Sequence, residues 1–290
     1  MAQAIVVEHA WADRRRRTAE LIERYPFAGE VLTLYAALLD VHERAVSQVR
    51  AERPAAEDAA IFAATRVLPD VVAATVAAGP EHLAESVHDA AQTVDGETLV
   101  LGWLRSEEQA PVDRYLARAS AAPVLEALGG AAGAACSGPR DERHCPVCGG
   151  PPQLAVMSAS RESLVTGRRH LVCARCHASW PYPRMTCAAC GEPSTARLLV
   201  YVEEGTSASE ASGHVVPGAA ALRGPALEER ALFPHMRIEA CEACRRYLIG
   251  VDLSRDARAV PVVDELAAIP LDLYAQEQGM SKLTPNLMGI

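Results

Sequence analysis

CPVCG (145–149), LVCARCHASWPYPRMTCAAC (171–190) and EACEACRRYL (239–248) carry eight of the nine cysteines of this 290-residue chain, as four Cys-x-x-Cys pairs. The pairs are Cys145/Cys148, Cys173/Cys176, Cys187/Cys190 and Cys241/Cys244. A tight turn between two such cysteines points both sulfurs the same way, and two turns facing each other close a tetrahedral S₄ site. Eight thiols therefore supply two closed sites. Buried free thiols need no fixed pairing, and a disulfide framework fits badly with a long cysteine-free N-terminal stretch. Gly149 and Gly191 follow the first and third pairs, His177 and Arg245 the second and fourth. That alternation reads as a twofold repeat and favours joining 145/148 to 173/176, and 187/190 to 241/244. The glycines are expected to turn backbone N–H groups toward sulfur.

Outward from the cysteines the texture changes. Residues 1–140 read as a helical domain: Val31, Leu34, Tyr35, Leu38 and Ala45 recur at three- and four-residue steps, as do Leu83, Val87, Ala90 and Val94, and Leu99, Val100, Trp103 and Leu104. Pro54, Pro69, Pro80 and Pro111 stand where helices start. His42, His82 and His88 are scattered and read as structural. The segment 129–144 is a linker whose unpaired Cys136 reads as a free thiol. Residues 141–255 alternate short strands with cysteine turns, with strands around Leu154/Val156, Leu198/Val200/Val202 and Tyr247/Ile249/Val251. Residues 205–230 read as a flexible insertion. The tail, 256–290, reads as helix, a break at Pro270, then a further helix. The fold class is α+β.

Net charge is -9, and eight thiolates holding two divalent ions would take it to about -13. That balance, with aromatics at 4%, argues against a nucleic-acid surface, the rival reading of a zinc-ribbon module. MAQAIVVEHAWADRRRR shows no secretory pattern, and nowhere do about 18 apolar residues run uninterrupted. The expectation is a cytoplasmic protein without a membrane span. A closed S₄ site suits structural zinc or a rubredoxin-type iron. Metal-free thiol exchange needs a Cys-x-x-Cys opening a helix, which the run Gly149-Gly150-Pro151-Pro152 forbids. His144, His170 and His177 lie near the turns but are not needed as ligands; His214 and His235 receive no role. No nucleotide or hydrolase motif appears, so a free-standing enzyme is the weaker alternative. Trp180, Tyr182 and Arg184, spaced by two, either pack against the ribbons or form an aromatic–arginine patch for a protein partner.

These cysteine segments, with DELAAIPLDLYAQEQGM (264–280), resemble the FdhE family of formate dehydrogenase accessory proteins over roughly half the chain. The resemblance implies a cytoplasmic, non-catalytic or at most electron-transferring maturation factor with a helical domain and two tandem rubredoxin-like modules. It implies iron or zinc bound by Cys145, Cys148, Cys173 and Cys176, and by Cys187, Cys190, Cys241 and Cys244. It implies the formate dehydrogenase catalytic subunit as partner, with a homodimer as an option. Between Cys190 and Cys241 this chain is longer than the family pattern.

Overall fold

The computed structural model describes residues 11–158, 167–203, 214–216 and 231–289. Helices α1 (Trp11–Arg24) and α2 (Gly29–Glu52) pack together, and α2 carries two apolar faces. Leu34, Leu38, Val41, Ala45 and Val49 enter one hydrophobic core, while Leu32, Tyr35 and Leu39 enter another. Helix α3 (Ala59–Phe62) runs through a wide π turn, Ala63–Val67, into α4 (Leu68–Ala78). Pro69 explains the wide turn: it has no N–H, and its ring would strike a carbonyl in a regular preceding turn. Helices α5 (Glu81–Thr93), α6 (Gly96–Leu104), α7 (Pro111–Leu128) and α8 (Ala132–Ala135) complete the bundle. Asp95 caps α6 by accepting from the Thr98 N–H at 2.9 Å. Helix α7 is the central element, buried from Tyr115 to Leu125. Val94, assigned to the apolar stripe of α5, is 37% exposed because the helix ends one residue earlier.

The run Ala56–Ala78 is, by mean hydropathy (1.5) and length, the single stretch among the described residues long and apolar enough to cross a membrane. The count of uninterrupted apolar residues misses it because Glu57, Asp58, Arg66 and Asp70 interrupt it. Its Phe62, Ala63, Val67 and Val71 face the bundle core.

The second half builds one mixed sheet. Its strands are β1 (Pro152–Met157), β2 (Arg169–Cys173), β3 (Ser179–Pro181), β4 (Leu198–Glu203), β5 (His214–Val216), β6 (Met236–Cys241), β7 (Arg246–Asp252) and β8 (Ser281–Lys282). Their order is β3-β2-β1-β7-β6-β4-β5, with β8 also beside β7. The two cysteine ribbons are thus not independent modules. Strand β7 continues past its cysteine turn and pairs in parallel with β1, placing Leu154 opposite Ile249 and Val156 opposite Val251. Both strands are buried on both faces there, as parallel pairing requires. Of the expected insertion, 205–230, residues 214–216 pair with β4 and the remainder lies outside the described residues.

On β4 the strand is where the alternation places it. Tyr201 and Glu203 are its buried side, while Leu198, Val200 and Val202 are half-exposed. The tail forms α9 (Pro261–Ala267) and α10 (Ile269–Glu277). The break falls at Ala268, and Pro270 sits in the first turn of α10, where no N–H is required.

The cores cross the sequence divisions. One joins the bundle to Cys145, Cys148, Cys173, Cys176, Trp180 and Tyr182. The other joins α1 and α2 to Ile238, Ile249 and Val251 of the sheet and to α9 and α10. His42 is buried in α2, and burial pushes its imidazole down to about 4. Held neutral inside, His42 stabilises the fold above about pH 6.5, where the unfolded chain is neutral too. That contribution, about 3 kcal/mol, is lost as pH falls through 6.5 toward 4. His42→Leu is expected to shift the acid-unfolding midpoint followed by circular dichroism to lower pH. An unchanged midpoint would show that His42 does not limit acid stability.

Candidate metal centres

Four short turns place the eight sulfurs. Each puts the residue after its second cysteine in the left-handed region: Gly149 at φ 71°, His177 at 56°, Gly191 at 80° and Arg245 at 57°. The geometry repeats four times although glycine appears only twice. At His177 and Arg245 the cost of a Cβ in that region, about 1–2 kcal/mol, is offset by tertiary anchors. His177 Nδ1 meets Glu126 Oε2 at 3.1 Å, and Arg245 donates to the Gln278 carbonyl at 2.5 Å. The Gly149 and Gly191 N–H groups themselves donate to the carbonyls of Cys145 and Cys187, each at 2.9 Å. Other backbone N–H groups turn toward sulfur, inside the turns at Arg175 to Cys173 Sγ and Ala189 to Cys187 Sγ, each 3.3 Å, and just beyond Gly191 and Arg245, where the Glu192 and Arg246 N–H groups serve Cys190 and Cys244.

Cys145, Cys148, Cys173 and Cys176 converge as one quartet, and Cys187, Cys190, Cys241 and Cys244 as the other, with all sulfurs of a quartet within 4.8 Å of one another. Across the first, Cys145 and Cys176 lie 3.6 Å apart, and Cys148 and Cys173 3.4 Å. Across the second, the separations are 3.7 Å (Cys187 to Cys244) and 3.9 Å (Cys190 to Cys241). A tetrahedron with metal–sulfur bonds of about 2.3 Å has edges of about 3.8 Å. Both quartets fit such an ion, and neither shows a cystine. Zinc in these positions would supply architecture, iron a one-electron couple.

The quartets differ in setting. The first is wholly buried; in the second Cys190 is exposed and Cys244 half-exposed. Gly150 presses against the inner quartet, where a Cβ would come within 2.8 Å of Cys173 Sγ. Two buried arginines flank the same place, and the sequence did not signal either. Arg175 donates to the Ser137 carbonyl (2.8 Å) and the Ser106 hydroxyl (2.5 Å), with its guanidinium 5.6 Å from the Trp103 ring centre. Arg118 lies on the same ring at 5.8 Å and donates to Gln153 Oε1 and to the Pro285 carbonyl. Burial lowers Arg118 to about 10, against the pull of Glu265 and Cys173. Four thiolates around a divalent ion carry two surplus negative charges, and these guanidiniums supply counter-charge where water is excluded.

Cys136 is buried beside Cys148 but stands outside the quartet. None of the described histidine side chains joins a quartet. His144 pairs with Asp141 at 2.7 Å, His177 with Glu126, and His235 with Asp264 at 2.8 Å. The suggested aromatic patch does not form. Trp180 and Tyr182 are 4% and 6% exposed. Trp180 Nε1 donates to the Glu142 carbonyl and Tyr182 Oη to the Cys187 carbonyl, each at 3.0 Å. They brace the cysteine turns from inside, and only Arg184 of the three stays at the surface.

The profile of the FdhE central domain matches residues 144–184, and that of the FdhE C-terminal domain residues 225–288. The first contains the whole inner quartet, the second Cys241 and Cys244; Cys187 and Cys190 fall between them. Proteins named FdhE homolog match from Aquifex aeolicus (29% identical over 148 residues, 51% of this chain and 42% of that protein) and Pseudomonas putida (31% over 145 residues, 50% and 38%). A third, from Pseudomonas aeruginosa, is 28% identical over 144 residues, 50% of this chain and 38% of that protein. The matched stretch thus spans well under half the length of these relatives. The crystal structure of the FdhE protein from Pseudomonas aeruginosa superposes with a TM-score of 0.60 at 20% identity, over 96% of this chain and 94% of that one, which shows a shared fold. Both domain profiles and the curated relatives converge on the segments that build the quartets, and it is in these segments that the chain is similar to the FdhE family.

Proposed function

We propose that this chain is a cytoplasmic accessory protein that binds the catalytic subunit of formate dehydrogenase and supports its assembly or activation. In this reading Cys145, Cys148, Cys173 and Cys176 hold one iron or zinc ion, and Cys187, Cys190, Cys241 and Cys244 a second. The observation that carries it is the pair of preformed sulfur cages, closed on all sides by cysteine. A catalytic zinc keeps a position for water and a nearby base; here four thiols fill each cage. A closed ion contributes folding energy and, if iron, electrons, which suits a protein that acts by holding another. The association of the FdhE family with formate dehydrogenase supplies the client.

Tagged protein is expected to co-purify with the catalytic subunit from cells making formate dehydrogenase, and to restore formate oxidation to cells lacking their own accessory protein. A chain carrying Cys187→Ala and Cys241→Ala is expected to restore less than about a tenth of that activity. Full restoration by demetallated protein would overturn the reading. Anaerobic absorption spectra with metal analysis separate a red iron centre from colourless zinc.

A further inference from the structure

Among the described residues, the face of the sheet turned away from the second core is partly exposed along β4 and β6 and borders a groove of about 660 Å³. Its end wall is the outer quartet's turn, with Cys187, Ala188 and Cys241. Part of its floor is apolar: Leu198, Val200 and Val202 are half-exposed, and Met185 at the edge is 52% exposed. Its charge is one-sided. Arg169, Arg184, Arg237, Arg246 and Arg255 line it against two carboxylates among the described residues, Glu239 and Asp252. Glu239 is already shared by Arg169 (2.7 Å) and Arg237 (2.7 Å), and Asp252 accepts from the Ser254 hydroxyl at 2.6 Å. The described lining residues thus carry three more guanidiniums than carboxylates, in a chain whose net charge is -9, and the outer quartet at the end wall offsets about two of those charges when it holds a divalent ion. Burial, and then the proximity of Arg237, push the Arg184 guanidinium below its ordinary value, against the pull of Asp252 and Glu239.

We propose that this groove is the docking surface for an acidic, extended polypeptide segment of the client, with apolar side chains on Leu198, Val200 and Val202 and carboxylates on Arg184, Arg237 and Arg255. The proposal rests on reading the chain as a client-binding accessory protein. An extended peptide presents alternate side chains to opposite sides, so a segment alternating apolar and acidic residues matches an apolar floor under an arginine rim. A single-stranded nucleic acid would need aromatic faces for stacking, and among the described lining residues the rings of Tyr247 and His235 are both buried.

The test uses the full-length, metal-loaded protein and fluorescence anisotropy with three labelled probes: a (Glu-Val)5 peptide, a (Lys-Val)5 peptide and a single-stranded oligonucleotide of about ten bases. Saturable binding of (Glu-Val)5 alone is expected, weakening about tenfold as salt is raised above physiological strength. Arg184→Glu with Arg255→Glu should weaken it at least about tenfold, with circular dichroism and metal content unchanged; Arg184→Gln with Arg255→Gln serves if that variant misfolds. Absence of binding, equal binding by wild type and variant, or an oligonucleotide held as tightly as the acidic peptide each overturn the proposal. The same variants carried into co-purification separate the two readings. Undiminished capture of the catalytic subunit would discard the groove and keep the accessory function. Variant-sensitive peptide binding without any capture of the subunit would do the reverse.

Discussion

Replacing Cys173 by serine is expected to abolish the folded state, while Cys190→Ser removes one metal ion and leaves the rest of the molecule standing. Cys173 has no exposed surface and sits in the same core as α2, α6 and α7. Loss of one sulfur there opens a cage whose remaining thiolates are buried against Arg175 and Arg118, so the charge balance fails together with the coordination. Structural zinc contributes about 10–16 kcal/mol in small peptides, as much as the whole stability of an ordinary domain, about 5–15 kcal/mol. Cys190 is exposed, and Cys244 beside it is half-exposed. Water can solvate what the missing ligand releases there, and β6 and β7 remain paired through six residues. Thermal unfolding with metal analysis distinguishes the two. Cys173→Ser should be recovered as aggregate or without a cooperative transition, and Cys190→Ser with close to one ion per chain and a cooperative transition. Equal losses in the two variants would show that burial does not rank the centres.

Lys282→Met is expected to cost about 3–5 kcal/mol, the price of leaving buried charge uncompensated. Lys282 is the one lysine among 28 basic Lys and Arg residues. Its ammonium lies 2.9 Å from Glu265 Oε1 and 3.0 Å from Asp272 Oδ2, and neither carboxylate has exposed surface. A compact point charge fits between two carboxylates where the planar guanidinium fork would not. Burial alone would lower Lys282, but Glu265 and Asp272 outweigh it and hold it above its usual value. Burial lifts Asp272 above the ordinary carboxylate range against the pull of Lys282. Tyr247 donates to Asp272 at 2.8 Å, and Gln153 donates to Glu265, linking the site through Arg118 to the inner quartet's surroundings. Loss on the order of 10 °C in thermal midpoint is the readout. Adding Glu265→Gln and Asp272→Asn to Lys282→Met should recover much of it; a triple variant no more stable than the single one would locate the effect in packing.

Legibility followed the range of the interaction. The quartets were readable because two thiols on one turn are a local fact, and the alternation of Gly149 and Gly191 with His177 and Arg245 hinted at which turns meet. The alternation underestimated the likeness: all four turns share one backbone shape, because distant groups such as Glu126 and the Gln278 carbonyl hold the residues that are not glycine. Trp180 and Tyr182 looked able to face outward because spacing fixes which residues share a face, and not which face is buried.

By itself, then, the sequence determined an all-helical first half, eight cysteines in two closed sets and strands between them, since propensity, periodicity and ligand spacing act over a few residues. Only the tertiary structure decided that β7 fuses both ribbons into one sheet, that one quartet is sealed and the other partly exposed, and which side of β4 is half-exposed along an arginine-lined groove. Those outcomes depend on contacts between elements far apart in the chain, where burial is settled by what the rest of the molecule leaves uncovered.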